Sequence, residues 1–188
     1  MLDGLFKIGR HPGWGIPLLL MLVWHVTDTV LNLDPQYLFF VCYSANLLLC
    51  IGIFRRSALL VGAGFGWLLI AFPLWLYDAI LHNDWTPSCT MFHIVGLLVG
   101  GTAIRNYRLP RHTWLFAMSL GIALQLLARI FTDETLNINS AFRIYQGWEK
   151  VYPNYATFYL AMLFGFGIFF ISLTHVHNRY FSMARVSP

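Results

Sequence analysis

Three pairs of reactive side chains recur at helical spacing along this chain: His25 with Asp28, Asp78 with His82, and Cys89 with His93. Residues three or four apart on a helix share one face, so each pair is presented in a single direction. Two chemistries suit these residue types. His25, His82 and His93 with Asp28 or Asp78 make up the histidine and carboxylate set that divalent zinc or iron takes as ligands. No His-x-x-x-His or glutamate-bearing zinc motif accompanies them. The second chemistry is nucleophilic acyl transfer. Cys89 sits where a helix N-terminus favours the thiolate, His93 one turn later is a base, and Asp78 is the group that orients it. Asn137 or Asn139 then supplies a donor to an oxyanion. A plainer reading stands beside both. Asp28 or Asp78 pairs with Arg129, His25 is a satisfied interior histidine, His82 rests in interfacial water, and Cys89 is a small packing residue.

The elements that position these pairs are apolar and long. Of 188 residues, 58% are hydrophobic and only 11% charged, with a mean hydropathy of +0.63. A soluble domain carries roughly 25% charged residues, so the composition predicts an all-α, polytopic integral membrane bundle. Six transmembrane spans are expected, over about 14–31, 36–54, 58–81, 88–104, 112–131 and 154–176, forming a single domain with one long outer loop, 132–153. Four of the spans reach the ~20 residues that a ~30 Å hydrocarbon layer asks of a helix, and the other two come close to it. No cleavage site follows the first apolar run, so it reads as a retained span rather than a removed signal. The net charge of +4 comes with no basic run or aromatic-basic interleaving, which leaves nucleic acid without a binding surface. Membrane lipids, and other membrane-protein subunits, are the expected partners.

Charge orients the bundle. Lys7, Arg10, Arg55, Arg56, Arg105, Arg108, Arg111, Arg179 and Arg185 fall on one side of the expected spans. Arg143 and Lys150 fall on the other, with Asp34, Asp84, Asp133, Glu134 and Glu149. The positive-inside rule then puts both termini in the cytoplasm, as expected for a multi-pass protein of a bacterial inner (plasma) membrane. In that topology His25, Asp28, Asp78, His82, Cys89, His93 and Arg129 all lie in the outer third of the bundle, with Asn137 and Asn139 above them. Ionisable groups at such depth are costly in lipid and usually face an interior site. His25, Asp78 and His93 are therefore expected to face one another in an outer pocket, with Asp28, His82 and Cys89 around them, and Arg129 to pair with Asp28 or Asp78. Mid-depth polar residues are few, Asn46 and Gln125 chiefly, which argues against a water-lined path across the membrane. His175 and His177 read as part of an inner-surface cap. Short helices lying on the interface are expected over Leu2–Ile8 and Ala141–Val151. Gly96 and Gly100 form a small-xxx-small step that favours close helix contact.

The run Cys42-Tyr43-Ser44-Ala45-Asn46-Leu47-Leu48, with Asp78, Phe92-His93 and Asn137-Ile138-Asn139, resembles a group of uncharacterised small six-helix membrane proteins. A Cys and His near the outer start of a middle span are also faintly similar to six-helix membrane acyltransferases. The resemblance implies a six-helix bundle around one polar cavity. It carries no catalytic assignment, because Cys89-Thr90-Met91-Phe92-His93 matches the acyltransferase pattern poorly. Two functions remain open from the sequence: an enzyme acting on a lipid-like or hydrophobic substrate, and a small non-catalytic subunit of a membrane complex.

Overall fold

A computed structural model describes residues 12–83 and 85–181. The expected Leu2–Ile8 helix and the position of Asp84 lie outside the described residues. Six α-helices follow one another: α1 Gly15–Asn32, α2 Val41–Phe54, α3 Ala58–His82, α4 Pro87–Ile104, α5 Thr113–Phe131 and α6 Tyr155–Val176. No strand occurs among the described residues.

Local chemistry sets the helix ends. Ser57 accepts from the Leu60 amide to start α3, and Asn154 accepts from the Thr157 amide to start α6; each replaces one of the bonds that a first turn leaves unmade. Asn83, at φ 51°, closes α3 in the left-handed conformation that an asparagine tolerates. Five helices are long and apolar enough to cross a membrane. The sixth, α2, is shorter than the sequence suggests. Its 14 residues rise only about 21 Å, because Pro35–Phe39 forms a separate 3-10 turn and the helix begins at Val41. The carboxamide of Asn139 fixes that start: it accepts from the Val41 amide at 2.9 Å and donates to the Phe39 carbonyl at 2.7 Å.

Helix α3 is central and touches α2, α4, α5 and α6. Its closest approach is to α2, where a Cβ added at Gly64 would lie 2.6 Å from the Ala45 carbonyl oxygen. The small-xxx-small step on α4 also serves contact: Gly96 lies against Asn46 and Leu68, and Gly100 against Phe65 and Leu49. The shared core includes Leu18, Leu49, Leu68 and Phe170, all with no exposed surface. The opposite faces are as apolar as the core, with Leu31 74%, Leu98 67%, Ile130 71% and Phe164 70% exposed. Such a coat, drawn from four helices, is what a bundle surrounded by lipid presents and what one in water avoids.

The segment 132–154 contains no helix at Ala141–Val151, contrary to the sequence expectation; it runs in bends and turns. Asn137 is the reason. Its side-chain oxygen accepts from the amides of Phe142 and Arg143, both at 3.0 Å, and its amide group donates to the Arg143 carbonyl. Asn139, Ser140 and Gly147 add positive φ angles that no α-helix contains. The aromatic residues of the segment fold inward. Tyr145 reaches Asp78, while Trp148 stacks on Tyr152 and packs its edge on Phe158. Ile138 and Ala141, fully buried, seat the segment on the bundle.

Candidate functional site

Beneath this segment lies a cavity of ≈ 530 Å³, lined by α1, α2, α3, α4, α5 and α6 and by the segment itself. Its walls are largely aromatic and aliphatic, with Trp67, Trp75, Phe158 and Phe166 among them. A few polar groups punctuate it, the combination typical of a small-molecule site. Of the sequence candidates, His25, Asp78, His82, Cys89, His93, Asn137 and Asn139 line the cavity, whereas Asp28 and Arg129 do not.

His93 is the unusual member. It projects from α4, is 2% exposed, and stacks on Trp75 with ring centroids 4.7 Å apart. Its Nδ1 lies 2.9 Å from the carbonyl oxygen of Cys89. A carbonyl only accepts, so Nδ1 carries the proton and the neutral ring leaves Nε2 with a bare lone pair. That Nε2 is buried and has no hydrogen-bond partner. Leaving such an acceptor unmet costs about 1–3 kcal/mol, and buried groups of this kind are usually satisfied by something. Chemically it can accept a hydrogen bond, take a proton from a bound hydroxyl, or ligate a metal. Cys89 Sγ lies 3.7 Å from Nδ1, the nitrogen that already holds a proton. The bare nitrogen is the other one, so the Cys89–His93 geometry is not that of a nucleophile beside its base. Asp78 does not orient His93 either: its oxygen accepts from the Tyr145 hydroxyl at 3.3 Å and stands 3.6 Å from His82. Both Asp78 and His82 are about half exposed, so this ion pair contributes little. The Tyr145 hydroxyl is harder to ionise than usual, first because it is buried and then because the Asp78 charge is adjacent.

His25 belongs to a separate network. Its Nδ1 is 3.0 Å from Ser88 Oγ, and Ser88 donates to Asp28. Its Nε2 is 2.8 Å from the Tyr43 hydroxyl, which is 2.5 Å from Thr29 Oγ1, and Thr29 donates back to the His25 carbonyl at 2.8 Å. These five contacts need five protons. Three hydroxyls and a neutral imidazole supply four when Asp28 is ionised. All five bonds form together only when the Asp28–Ser88–His25 stretch holds one more, either on the imidazole or on the carboxyl. Phe92 packs on His25 at 4.6 Å between ring centroids.

Arg129 takes neither of the expected carboxylate partners. Its Nε donates to the Ala141 carbonyl at 2.5 Å and a terminal nitrogen donates to the Tyr155 hydroxyl at 2.9 Å, with that ring 5.4 Å from the guanidinium. The left-handed turns at 139–140 turn carbonyls toward α5, so the cation is met by backbone oxygen and a ring face. Gln125 uses the two preceding carbonyls, donating to those of Asn139 and Ser140 at 3.2 Å each. The proposed ligand set His25, Asp28, Asp78, His82 and His93 divides in the same way. His25 and Asp28 meet across Ser88, Asp78 and His82 meet at the half-exposed rim, and His93 stands against Trp75. Among the described residues no group of three or more His, Cys, Asp or Glu side chains is placed to hold a metal ion, so the expected zinc or iron centre does not assemble from them.

Ser88, Tyr43, Thr29 and Trp75 were not singled out by their types, yet they decide what His25 and His93 can do. Thr29 was open to reading, since it stands four residues after His25 on one face; Ser88 and Tyr43 come from other helices and leave no local signal. Comparison of the chain with protein-family models, with curated proteins and with solved structures finds no match.

Proposed function

We propose that this is a multi-pass membrane protein that takes a lipid-like molecule bearing a hydroxyl or amide head group into the cavity. The bare Nε2 of His93 meets the donor of that head group. One observation carries the reading: an unpartnered nitrogen on a side chain 2% exposed, in the wall of a ≈ 530 Å³ aromatic cavity. An apolar body fits the walls, and a donor head removes the cost of the unmet acceptor. Asp78, Tyr145, Gln125 and Asn139 give the rest of the polar end something to lie against. Chemistry within reach of this site is general-base activation of the bound hydroxyl by His93; Cys89 stays one turn away as a further polar contact.

The topology that goes with this reading has six spans, with α2 as a short span in the interior of the bundle, and both termini cytoplasmic. The basic residues at the 105–112 end and the acids at the 132–154 end support that orientation. It opens the cavity toward the outer leaflet.

The test is recovery of the occupant. The full chain is purified in a mild detergent, its lipids extracted and identified by mass spectrometry, and the same done for Met118→Trp, which grows bulk from the cavity wall. A donor-headed lipid-like species retained near one per chain in the parent and lost in the variant supports the proposal, given unchanged helical content. Equal lipid profiles for both, matching the detergent blank, overturn it. They would turn attention to the subunit reading.

A further inference from the structure

Asp28, Ser88, His25, Tyr43 and Thr29 form one hydrogen-bonded series that runs from the surface into the bundle. Asp28, one turn before the end of α1, is partly exposed. The other four are buried, at 2%, 3%, 7% and 0% exposed in that order. His25 and Tyr43 line the cavity, whereas Asp28, Ser88 and Thr29 do not. The series therefore reaches the cavity wall from behind, through protein. That wall is largely aromatic and aliphatic, so an occupant that gains or loses a proton there needs side chains to carry it.

Donor and acceptor are fixed along most of the series. Thr29 gives its proton to the His25 carbonyl, so it accepts from Tyr43, and the Tyr43 oxygen accepts from His25 Nε2. The proton on Nε2 is thus set, and Nδ1 faces Ser88 at 3.0 Å. Asn32 donates to Asp28 Oδ1 at 2.7 Å, which leaves Oδ2 to meet Ser88. Two arrangements then satisfy every bond. In one, a protonated Oδ2 donates to Ser88, and Ser88 donates to a bare Nδ1. In the other, the Nδ1 of an imidazolium donates to Ser88, and Ser88 donates to the ionised carboxylate. They interconvert when the Oδ2 proton passes to Ser88 Oγ as the Ser88 proton passes to Nδ1. Ser88 gains one O–H bond as it loses another, the carboxyl gives up its proton, and the ring takes one. Asp28 and His25 together carry no net charge in either arrangement, so neither strands an uncompensated charge between the helices.

We infer that Asp28, Ser88 and His25 form a proton relay between the surface at the end of α1 and the cavity wall, with Tyr43 as its cavity-side end. Asp28 exchanges protons with water, and Ser88 hands them across. The His25 ring holds them where it shares a hydrogen bond with the Tyr43 hydroxyl. Phe92 and Tyr43 pack on that ring at 4.6 and 4.9 Å between centroids, which keeps it in line. The titratable groups facing His25 are Asp28 on α1, Tyr43 on α2 and His93 on α4, and Cys42 and Cys89 face Tyr43. The relay serves reactions in which a buried hydroxyl or amide gives up or takes back a proton. It needs the cavity but not the occupant proposed for His93, and its test reads the relay alone.

Exchange of the His25 ring protons with water tests this, followed by nitrogen NMR of the histidine-labelled full chain in detergent. Although His25 is 3% exposed, its protons should exchange in the parent, and Ser88→Ala should slow them by about tenfold or more. Ser88→Thr keeps a hydroxyl and should restore the rate. A serine that only held the ring would act in the opposite sense, since its loss would loosen the ring, admit water and speed exchange. Asp28→Asn, at a partly exposed position, keeps an acceptor for Ser88 but has no carboxyl proton to pass. It should slow exchange as well, and it decides the matter alone if Ser88→Ala does not fold. Met118→Trp, which fills the cavity, should leave the rate unchanged. Exchange in folded Ser88→Ala or in Asp28→Asn as fast as in the parent overturns the proposal, as does a parent whose ring protons do not exchange. Equal slowing by Met118→Trp also overturns it, because protons would then arrive through the cavity.

Discussion

Replacing Asn139 by alanine should unfasten the start of α2 from the segment that covers the cavity. Asn139 contributes two bonds across nearly a hundred residues of chain, from the Val41 amide at 2.9 Å and to the Phe39 carbonyl at 2.7 Å. Each is worth about 0.5–1.5 kcal/mol net. The residue also sits at φ 54°, where alanine adds about 1–2 kcal/mol of steric cost that asparagine largely avoids. The sum is about 2–5 kcal/mol for Asn139→Ala. Asn139→Gly loses the bonds without the steric cost, so it should be less damaging by about 1 kcal/mol. Thermal unfolding in detergent gives the ordering, and hydrogen exchange gives the location. The Val41 amide should lose protection in both variants, while amides in the middle of α3 keep theirs. A Val41 amide as protected in Asn139→Ala as in the parent would refute the reasoning. So would a glycine variant less stable than the alanine one.

Gly64→Ala should destabilise the α2–α3 contact by about 1–3 kcal/mol or more, since the added methyl would meet backbone at Ala45 that cannot turn aside; a denaturation series checks it. At the outer segment, the carboxyl of Asp133 is held below its ordinary range by the Thr135 hydroxyl and then by the Thr135 amide. Because the folded value is the lower one, this contribution is present above the ordinary carboxylate range and is lost as pH falls through the folded value. Thr135→Val should move the Asp133 titration up toward the ordinary range, read by carbon NMR of the labelled carboxyl, and an unmoved titration would contradict it. In the His25 network, nitrogen NMR should show two protonated ring nitrogens, or infrared spectra a carboxylic acid band that Asp28→Asn removes. A neutral ring together with an ionised Asp28 would contradict the five-proton count.

Much of the architecture was legible because it depends on sums over long segments. Five of the six helices start and stop within about a residue of the positions that apolar runs and their polar ends indicate, since lipid penalises any exposed backbone there. The exception, α2, begins five residues late for a reason no local pattern holds: Asn139, from the segment that follows α5, holds its first amide. Site residues were legible in kind and depth but not in partnership. His25, Asp78, His82, Cys89 and His93 do line one cavity, yet helical facing alone could not tell that Ser88 would stand between His25 and Asp28. Arg129 was expected to seek a carboxylate because a buried cation needs compensation. Carbonyls freed by the left-handed turns at Asn139 and Ser140 supply it instead, and such turns are weakly encoded by any single residue.

The proposed hydrogen bond from the head of a lipid-like occupant to His93 Nε2 separates donor heads from non-donor ones. Its most direct measurement compares the binding of a long-chain alcohol with that of its methyl ether, to the parent chain and to His93→Phe. One hydrogen bond to a buried, otherwise unmet acceptor is worth about 1–3 kcal/mol, roughly five- to a hundredfold in affinity. The alcohol should be preferred by that factor in the parent, and the preference should vanish in His93→Phe while the ether binds both alike. Equal affinity of alcohol and ether for the parent chain would contradict the claim.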